Sequence, residues 1–585
     1  MARINDNGMV VLKERYLFRH EETGISESPE EMFRRVANSV ALAELNFGDE
    51  NQNLAWAEKF FKIMDELLFL PNSPTLMNAG TPNQQLSACF VLPVEDNTEA
   101  IFSCLKTAAL IQKSGGGTGF DFSKIRPKGD NVANGGKAAG PVAFMKIFDV
   151  MTENIRQSGK RRGANMGVLH INHPDVEEFV NSKSTGKNLQ NFNISVGVTD
   201  AFMHAIKHDS SWDLIHPNTG KKVKELSARS LWQSIIRNAK NNGDPGLLFL
   251  DEINRWNPTP KIGIISCTNP CGEVPLLPYE ACNLGSINLA KMVASPYKKT
   301  VKIKWDLLEN TVNTAIRFLD NVIDVNTYII PEVEQITKGN RKIGLGVMGW
   351  ADMLIELGIP YASDEAVALA EKLMRFIKDR AWQTSQNLAK TRGVFPNWEK
   401  STHFPDFPLR NATCTAIAPT GSISIIAGVS SSIEPLFALA YEQRNVLDKR
   451  SLKHINFSLI EYLKANSIYT EEILNCINAR GNLKESNGLP KETKELFRTA
   501  LEINFSDHLK HQLAFQMYTD NAISKTINLS SSASKYDIDK AFKMAWSGKA
   551  KGITLYRDGS KSKQVLNSGI GFPSTERTNC KVCTV

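Results

Sequence analysis

The first regular pattern along the chain is Ser28-Pro29-Glu30-Glu31, followed by apolar Phe33, Val36, Val40 and Ala43. Ser three residues ahead of Glu is a capping box, Pro suits the first helical position, and the apolar spacing turns one helix face inward. A second helix is predicted over 54–70, stopped by Pro71. Residues 1–70 are therefore expected to form a helical cap. Beyond Pro71 the pattern changes. Short apolar runs such as Gly167-Val168-Leu169-His170-Ile171, Ile194-Ser195-Val196-Gly197-Val198 and Thr415-Ala416-Ile417-Ala418 alternate with helical segments, among them 141–156 and 364–392, the latter ending at Gly393. Strands buried on both faces and separated by helices predict an α/β fold with a largely parallel sheet over 71–560. No internal repeat interrupts it. After Tyr556-Arg557-Asp558-Gly559-Ser560 the chain turns Ser-, Gly-, Lys- and Pro-rich, so 561–585 is expected to be a flexible arm without a core of its own.

Composition adds exclusions. In 585 residues, 69 Lys+Arg stand against 62 Asp+Glu, with 42% hydrophobic and 22% charged, which excludes collagen-like, coiled-coil and largely disordered chains. A net charge of +7 is too diffuse for a nucleic-acid surface. The longest apolar runs fall far short of the roughly 20 residues a bilayer needs, and Met1-Ala2-Arg3-Ile4-Asn5-Asp6-Asn7 has no apolar signal core. Neither a membrane nor secretion is expected. Nine cysteines, an odd number, suit a reducing compartment, with the cytoplasm as the default.

Several segments place reactive groups close together. Asn269-Pro270-Cys271-Gly272-Glu273 is a Pro- and Gly-punctuated loop holding an amide, a thiol and a carboxylate. If the loop is extended, positions 269, 271 and 273 point the same way. A carboxylate disfavours a neighbouring thiolate, so the arrangement suits a thiol that reacts neutral, losing a hydrogen atom beside a general base. Taken alone, the pentapeptide is better read as a structural turn with one buried cysteine. Cys282 in Ala281-Cys282-Asn283-Leu284-Gly285 reads by itself as a small buried residue. Cys89, downstream of the polar loop Ser73 to Asn78, carries little signal alone, since turns are commonly built from such residues. Ser114-Gly115-Gly116-Gly117-Thr118-Gly119 lets a ligand approach the backbone, but fits neither the dinucleotide fingerprint nor a P-loop. Ala418-Pro419-Thr420-Gly421-Ser422-Ile423-Ser424 follows a strand and opens an apolar run, which favours phosphate binding over ordinary N-capping. Lys160-Arg161-Arg162 between glycines is an anion-touching loop or a solvated turn. The terminal Cys580/Cys583 pair supplies only two metal ligands, so redox exchange is favoured and no metal site is expected.

Taken together and in order, these motifs resemble the catalytic subunit of ribonucleotide reductase, in its adenosylcobalamin-dependent class II form. The most specific pieces are Asn269 to Glu273, Ala281-Cys282-Asn283-Leu284-Gly285-Ser286-Ile287-Asn288-Leu289, Pro419-Thr420-Gly421-Ser422 and Tyr556-Arg557-Asp558-Gly559-Ser560. The resemblance implies a ten-stranded α/β barrel with Cys271 on a central finger loop. It also implies reduction of ribonucleotides, diphosphates rather than triphosphates, to 2′-deoxyribonucleotides by a thiyl radical on Cys271. Glu273 then deprotonates the 3′ hydroxyl, Asn269 holds the substrate hydroxyls, and Cys89 protonates the departing 2′ hydroxyl and closes a disulfide with Cys282. Cys580 and Cys583 match the family's mobile reducing pair, recharged by a thioredoxin-like partner. Substrate contacts carry over to Ser73, Ala88, Cys89, Gly117, Asn269, Pro270, Cys271, Gly272, Glu273, Pro419, Thr420, Gly421, Ser422 and Ile423. Contacts to a dNTP or ATP effector carry over to Asp96 and Arg126, with the specificity loop at Lys160, Arg161 and Arg162, in a homodimer.

The class rests on a separate reading. Metal-subunit-dependent relatives carry a tyrosine pair where Gly552-Ile553-Thr554-Leu555-Tyr556-Arg557 has one tyrosine, and no glycyl-radical motif is present. The alternative is a class I large subunit served by a separate radical-generating metal subunit. Cys267, two residues before Asn269, departs from the family pattern and is a potential competing disulfide partner. The N-terminal region is too short for an ATP-cone, so specificity control without overall dATP inhibition is expected.

Overall fold

The structure, a computed structural model, describes all residues except 1–3, 20–23, 25, 133–134, 158–160, 187, 448–449, 487, 561–565 and 571–585. Three helices, Asp6–Arg15, Pro29–Ala41 and Glu50–Asp65, open the chain. Both halves of the capping box are made: the Ser28 hydroxyl accepts from Glu31 N, and the Glu31 carboxylate accepts from Ser28 N. Met32, Phe33, Val36 and Val40 are buried by this helix. The next helix is offset from its predicted span. Asp49 caps it, and it ends at Asp65, because Phe69–Pro71 pairs as a strand with Gly285–Ile287. An apolar run read as a helix tail had a better partner in the sheet.

Ten strands form the main sheet. In chain order they are β1 (Phe69–Pro71), β2 (Cys89–Pro93), β3 (Gly117–Asp121), β4 (Asn165–His170), β5 (Phe192–Val198), β6 (Gly246–Phe249), β7 (Glu280–Asn288), β8 (Ile343–Met348), β9 (Thr526–Leu529) and β10 (Gly552–Arg557). Strands β2 to β6 run parallel in sequence order. On one side β6 meets β10 antiparallel; on the other β2 meets β7 antiparallel. β7 pairs parallel with β8, and β9 with β10. The gap between β8 and β9 is closed by residues 413–418, through parallel bridges Leu345 to Thr415 and Ile417 to Ile523. The sheet thus closes on itself as two parallel halves set antiparallel to each other.

Alternation along the strands explains the unbroken apolar runs of the sequence. Val91, Met166, Val168, Leu248 and Leu284 face inward with Cys89 and Cys282. Their neighbours Phe90, Leu92, Phe120, Leu169, Ile194, Val196, Leu247 and Phe249 face the outer helices. Both faces are dry, so neither needs polar residues. The hairpin Cys267–Thr268 with Pro275–Leu276 belongs to the inner cluster, together with Ile265, Val274 and Leu277. It is a finger thrust into the barrel. Gly119 makes room for it, since a Cβ there would overlap the carbonyl of Thr268. Outside, Asp364–Arg392 forms the long predicted helix, capped by the Ser363 side chain and ended at Gly393. No helix among the described residues is long and apolar enough to cross a membrane.

Candidate active site

The finger does not stay extended at its tip. Gly272 N donates to Asn269 O at 3.1 Å, and Gly272 takes φ +83°, a left-handed turn conformation that glycine adopts without strain. The turn separates the three groups that extended backbone would align. Asn269 and Glu273 fold back into the barrel at 2% exposure each, and Cys271 remains exposed at the apex. Two contacts fix the tip: Asn193 Nδ2, on β5, donates to Pro270 O at 2.8 Å, and Ala522 N donates to Glu273 O at 2.8 Å.

Asn269 is the hub. Its Oδ1 accepts from Val274 N at 3.0 Å and its Nδ2 donates to Cys89 Sγ at 3.1 Å. Glu273 is nearly unsupported: Oε2 is buried without a hydrogen-bond partner, and burial pushes its pKa up to about 7 against a weaker opposing bond from Asn269. Burial also raises the Cys89 thiol well above the ordinary range, and Glu273, Cys282 and Cys271 add to the effect. Cys89 and Cys282 are register partners on β2 and β7. Antiparallel partners have Cα atoms about 4.5–5.5 Å apart with side chains on one face, inside the range a disulfide spans. Both are free thiols here. Cys267 lies elsewhere on the finger, its thiol donating to Thr268 O at 3.3 Å against Gly119.

Of the remaining substrate-contact candidates, Ala88 and Gly117 adjoin this centre. Ala88 joins neighbouring strands, its N–H donating to Cys282 O at 3.3 Å and its carbonyl accepting from Gly117 N at 2.9 Å. Gly117 abuts Pro270. Ser73 is not on a loop: Asn72 caps a short helix, Ser73–Asn78, and the Ser73 hydroxyl bonds Tyr16 Oη at 2.7 Å. Asn72-Ser73-Pro74, a cap followed by Pro, was the signal for that turn. The Pro419–Ile423 segment leads into the single helical turn Ile423–Ala427, and Ser422 makes no side-chain capping bond. Ordinary N-capping therefore does not account for its hydroxyl. Gly421 is exposed with open space beside it, and Thr420, at φ +52°, accepts from Ser432 N at 2.7 Å through its hydroxyl.

Farther out, Arg126 donates to both Asp96 oxygens, through N at 3.1 Å and Nε at 2.8 Å. Asn218 Nδ2 also bonds Asp96, and His216 Nε2 meets Asp130 at 3.0 Å, so the hairpin Ser211–Ile215 with Lys222–Ser227 brings two residues that no sequence motif signalled. Arg161–Arg162 pairs with Arg156–Gln157 as a two-residue ribbon, while Lys160, Cys580 and Cys583 lie outside the described residues.

The family model described as ribonucleotide reductase, barrel domain, matches residues 87–407 and 402–556, and the all-alpha domain model of the same enzyme matches 2–84. The chain belongs to the ribonucleotide reductase family. A vitamin B12-dependent ribonucleoside-diphosphate reductase of Thermoplasma acidophilum is 48% identical over 96% of this chain and 80% of its own length. Its counterpart in Mycobacterium tuberculosis (strain CDC 1551 / Oshkosh) is 46% identical over 97% and 81%. Among solved structures, the class Id ribonucleotide reductase alpha subunit of Actinobacillus ureae superposes with a TM-score of 0.77 at 25% identity, covering 95% of this chain and 97% of that one. For a ribonucleotide reductase, the residues missed by sequence reasoning are Asn193, which anchors the fingertip, and the buried pair Glu280 and Lys342 behind Cys282. Neither carries a motif; both are found only through their partners.

Proposed function

We propose that this protein reduces ribonucleoside diphosphates to 2′-deoxyribonucleoside diphosphates by thiyl-radical chemistry, with adenosylcobalamin as its cofactor. The observation that carries this reading is the convergence of Cys89 and Cys282 as strand partners beneath a fingertip that exposes Cys271 and buries Glu273. The cofactor fits the donor set: an exposed thiol beside Gly272, which has nothing within 4 Å of its absent Cβ, leaves an open face for a bulky group. Cys271 and Gly272 are the residues that would meet it. When bound, adenosylcobalamin supplies a carbon-centred radical able to accept a hydrogen atom.

The Cys271 thiol gives up its hydrogen atom, and the thiyl radical takes the 3′ hydrogen of the ribose. Glu273, in its ionised form, accepts the proton of the 3′ hydroxyl; a pKa near 7 makes it a stronger base than an ordinary carboxylate and leaves a substantial ionised fraction near neutral pH. Asn269 holds the substrate hydroxyls. Cys89, its thiol kept neutral by burial, protonates the 2′ hydroxyl, which leaves as water. Cys89 and Cys282 supply two electrons and the hydrogen that replaces the 2′ hydroxyl, and close to a disulfide; Cys271 returns the hydrogen atom to the 3′ carbon and Glu273 returns the proton to the 3′ oxygen. Cys580 and Cys583 then reopen the disulfide at the expense of a thioredoxin-like partner. Ser73, Ala88 and Gly117 line the substrate, and Pro419 to Ile423 bind its phosphates.

The Asp96–Arg126 pair supports an effector site, with residues 160–162 carrying its identity to the substrate. Exposed Phe102, Leu110, Ile147 and Val150 on helices Thr98–Ser114 and Pro141–Asn154 support a homodimer. The single tyrosine of β10 favours the cofactor over a separate radical subunit. The test is anaerobic reduction of cytidine diphosphate with dithiothreitol, with and without adenosylcobalamin, adding dATP or dTTP as effector. Turnover only with the cofactor is expected. Turnover only when a metal-containing partner protein is added would replace this reading by the class I one.

A further inference from the structure

Beside the thiols lies a buried ion pair, Glu280 with Lys342, that takes no part in the chemistry above. Glu280 opens β7 two residues before Cys282, so both side chains face the barrel interior. Its Oε2 accepts from Lys342 Nζ at 2.8 Å and from Leu277 N at 2.8 Å, and its Oε1 accepts from Asn340 Nδ2 at 2.7 Å. Lys342 is 1% exposed and Glu280 0%. The β7–β8 register pairs Asn283 with Ile343, which sets Lys342 beside Cys282 on one edge as Cys89 is on the other. Cys89, Cys282 and Lys342, the residue just before β8, thus form a row.

Apolar replacements of buried ion pairs are often no less stable, so a pair in an apolar barrel wall invites a chemical explanation. Reopening the Cys89–Cys282 disulfide supplies one, because one of the two sulfurs must leave as a thiolate in a dry site. Burial disfavours both thiolates. Around Cys89 the charged neighbours are acidic, Glu273 and the thiols of Cys282 and Cys271, opposed only by the Asn269 amide. Around Cys282, Glu280 and Glu273 also oppose ionisation, but Lys342 favours it.

We infer that Lys342 is a positioning residue for re-reduction: it holds the Cys282 thiolate as leaving group, so the incoming thiolate attacks Cys89. This rests on the disulfide chemistry proposed above. The step balances. A tail cysteine thiolate forms a bond to Cys89 Sγ, the Cys89–Cys282 bond breaks, and Cys282 departs with the electron pair. The second tail thiolate then attacks the tail sulfur of the mixed disulfide and frees Cys89. The tail is oxidised to a disulfide, and the two protons lost by its thiols end on Cys89 and Cys282. A better-stabilised leaving thiolate departs faster, which directs attack to the other sulfur.

The test uses the full-length chain with Cys580→Ala and Cys583→Ala, so that the tail does not compete. After one turnover with substrate and cofactor, the oxidised protein is treated with 2-mercaptoethanol, quenched with acid and alkylating agent, and mapped by peptide mass. The mercaptoethanol adduct is expected on Cys89. In Lys342→Met, disulfide opening is expected to slow about tenfold or more, with the adduct spread over both sulfurs, whereas Glu280→Gln, which removes the opposing anion and keeps Lys342, is expected not to slow it. An adduct on Cys282 in the parent protein, which needs no change at Lys342, overturns the inference alone. So does an unchanged opening rate in Lys342→Met. Absence of any Cys89–Cys282 disulfide after turnover overturns the proposed function along with it.

Discussion

Where the cap meets the outer helices of the barrel, Glu44 and Asp320 are as deeply buried as Glu273 at the fingertip, yet their surroundings are opposite. Asp320 Oδ1 accepts from Arg341 and Asn411, and its Oδ2 from Arg392 and Arg410. Glu44 accepts from Arg317, Asn321 and Arg392. Burial alone would raise both carboxyls, but these cations and amides hold Glu44 below its ordinary value and Asp320 at about 2. Glu273 has no cation, keeps one oxygen unbonded and rises to about 7. The same side-chain chemistry at the same depth is held as an anion in one place and titrates near neutral pH in the other. Full pairing fixes the charge; incomplete pairing leaves it free to change.

Four measurements would break or sharpen that contrast. The largest effect is expected at the fingertip: Cys271→Ala should abolish dNDP formation while circular dichroism and thermal melting stay unchanged. Residual turnover would remove Cys271 from the chemistry. Next, Glu273→Gln should lower kcat by about 10²–10⁴-fold, the usual contribution of a positioned general base. In the parent enzyme the active form of Glu273 is ionised, so kcat should fall as pH drops below about 7. A pH profile flat from 6 to 8 would count against Glu273 as the base.

Asp320→Asn should instead cost about 3–5 kcal/mol of stability, because it leaves buried guanidinium groups without their anion. Urea denaturation would read the loss, with turnover per folded molecule unchanged. The pH sense is opposite to that of Glu273. A folded-state pKa of about 2 lies below the unfolded value of about 3.9, so the contribution is complete above the ordinary carboxylate range. It is lost as pH falls towards 2. Smallest is Asn193→Ala, which removes the bond to Pro270 O and should lower kcat several-fold, corresponding to about 1 kcal/mol. A loss as large as that of Glu273→Gln would mean that the fingertip depends on one anchor.

The sequence by itself determined the elements whose signals are local. Ser28 and Glu31 cap the second helix, Gly393 ends the long one, and apolar runs without polar alternation mark strands covered on both faces. Ordered motifs pointed to the cysteines, to Asn269 and to Glu273, and through them to a family. Tertiary structure decided the rest. Phe69–Pro71 is a strand because Gly285–Ile287 offers it backbone partners, which no local propensity registers. Asn269, Cys271 and Glu273 diverge because a turn at Gly272 folds two inward and leaves the third exposed. Cys89 and Cys282 are set side by side only through strand register, and Lys342 is brought next to Cys282 by the same means. Helix caps and period-two burial act over a few residues, whereas register, burial and the pKa of Glu273 depend on groups brought together from distant parts of the chain when the barrel closes around its finger.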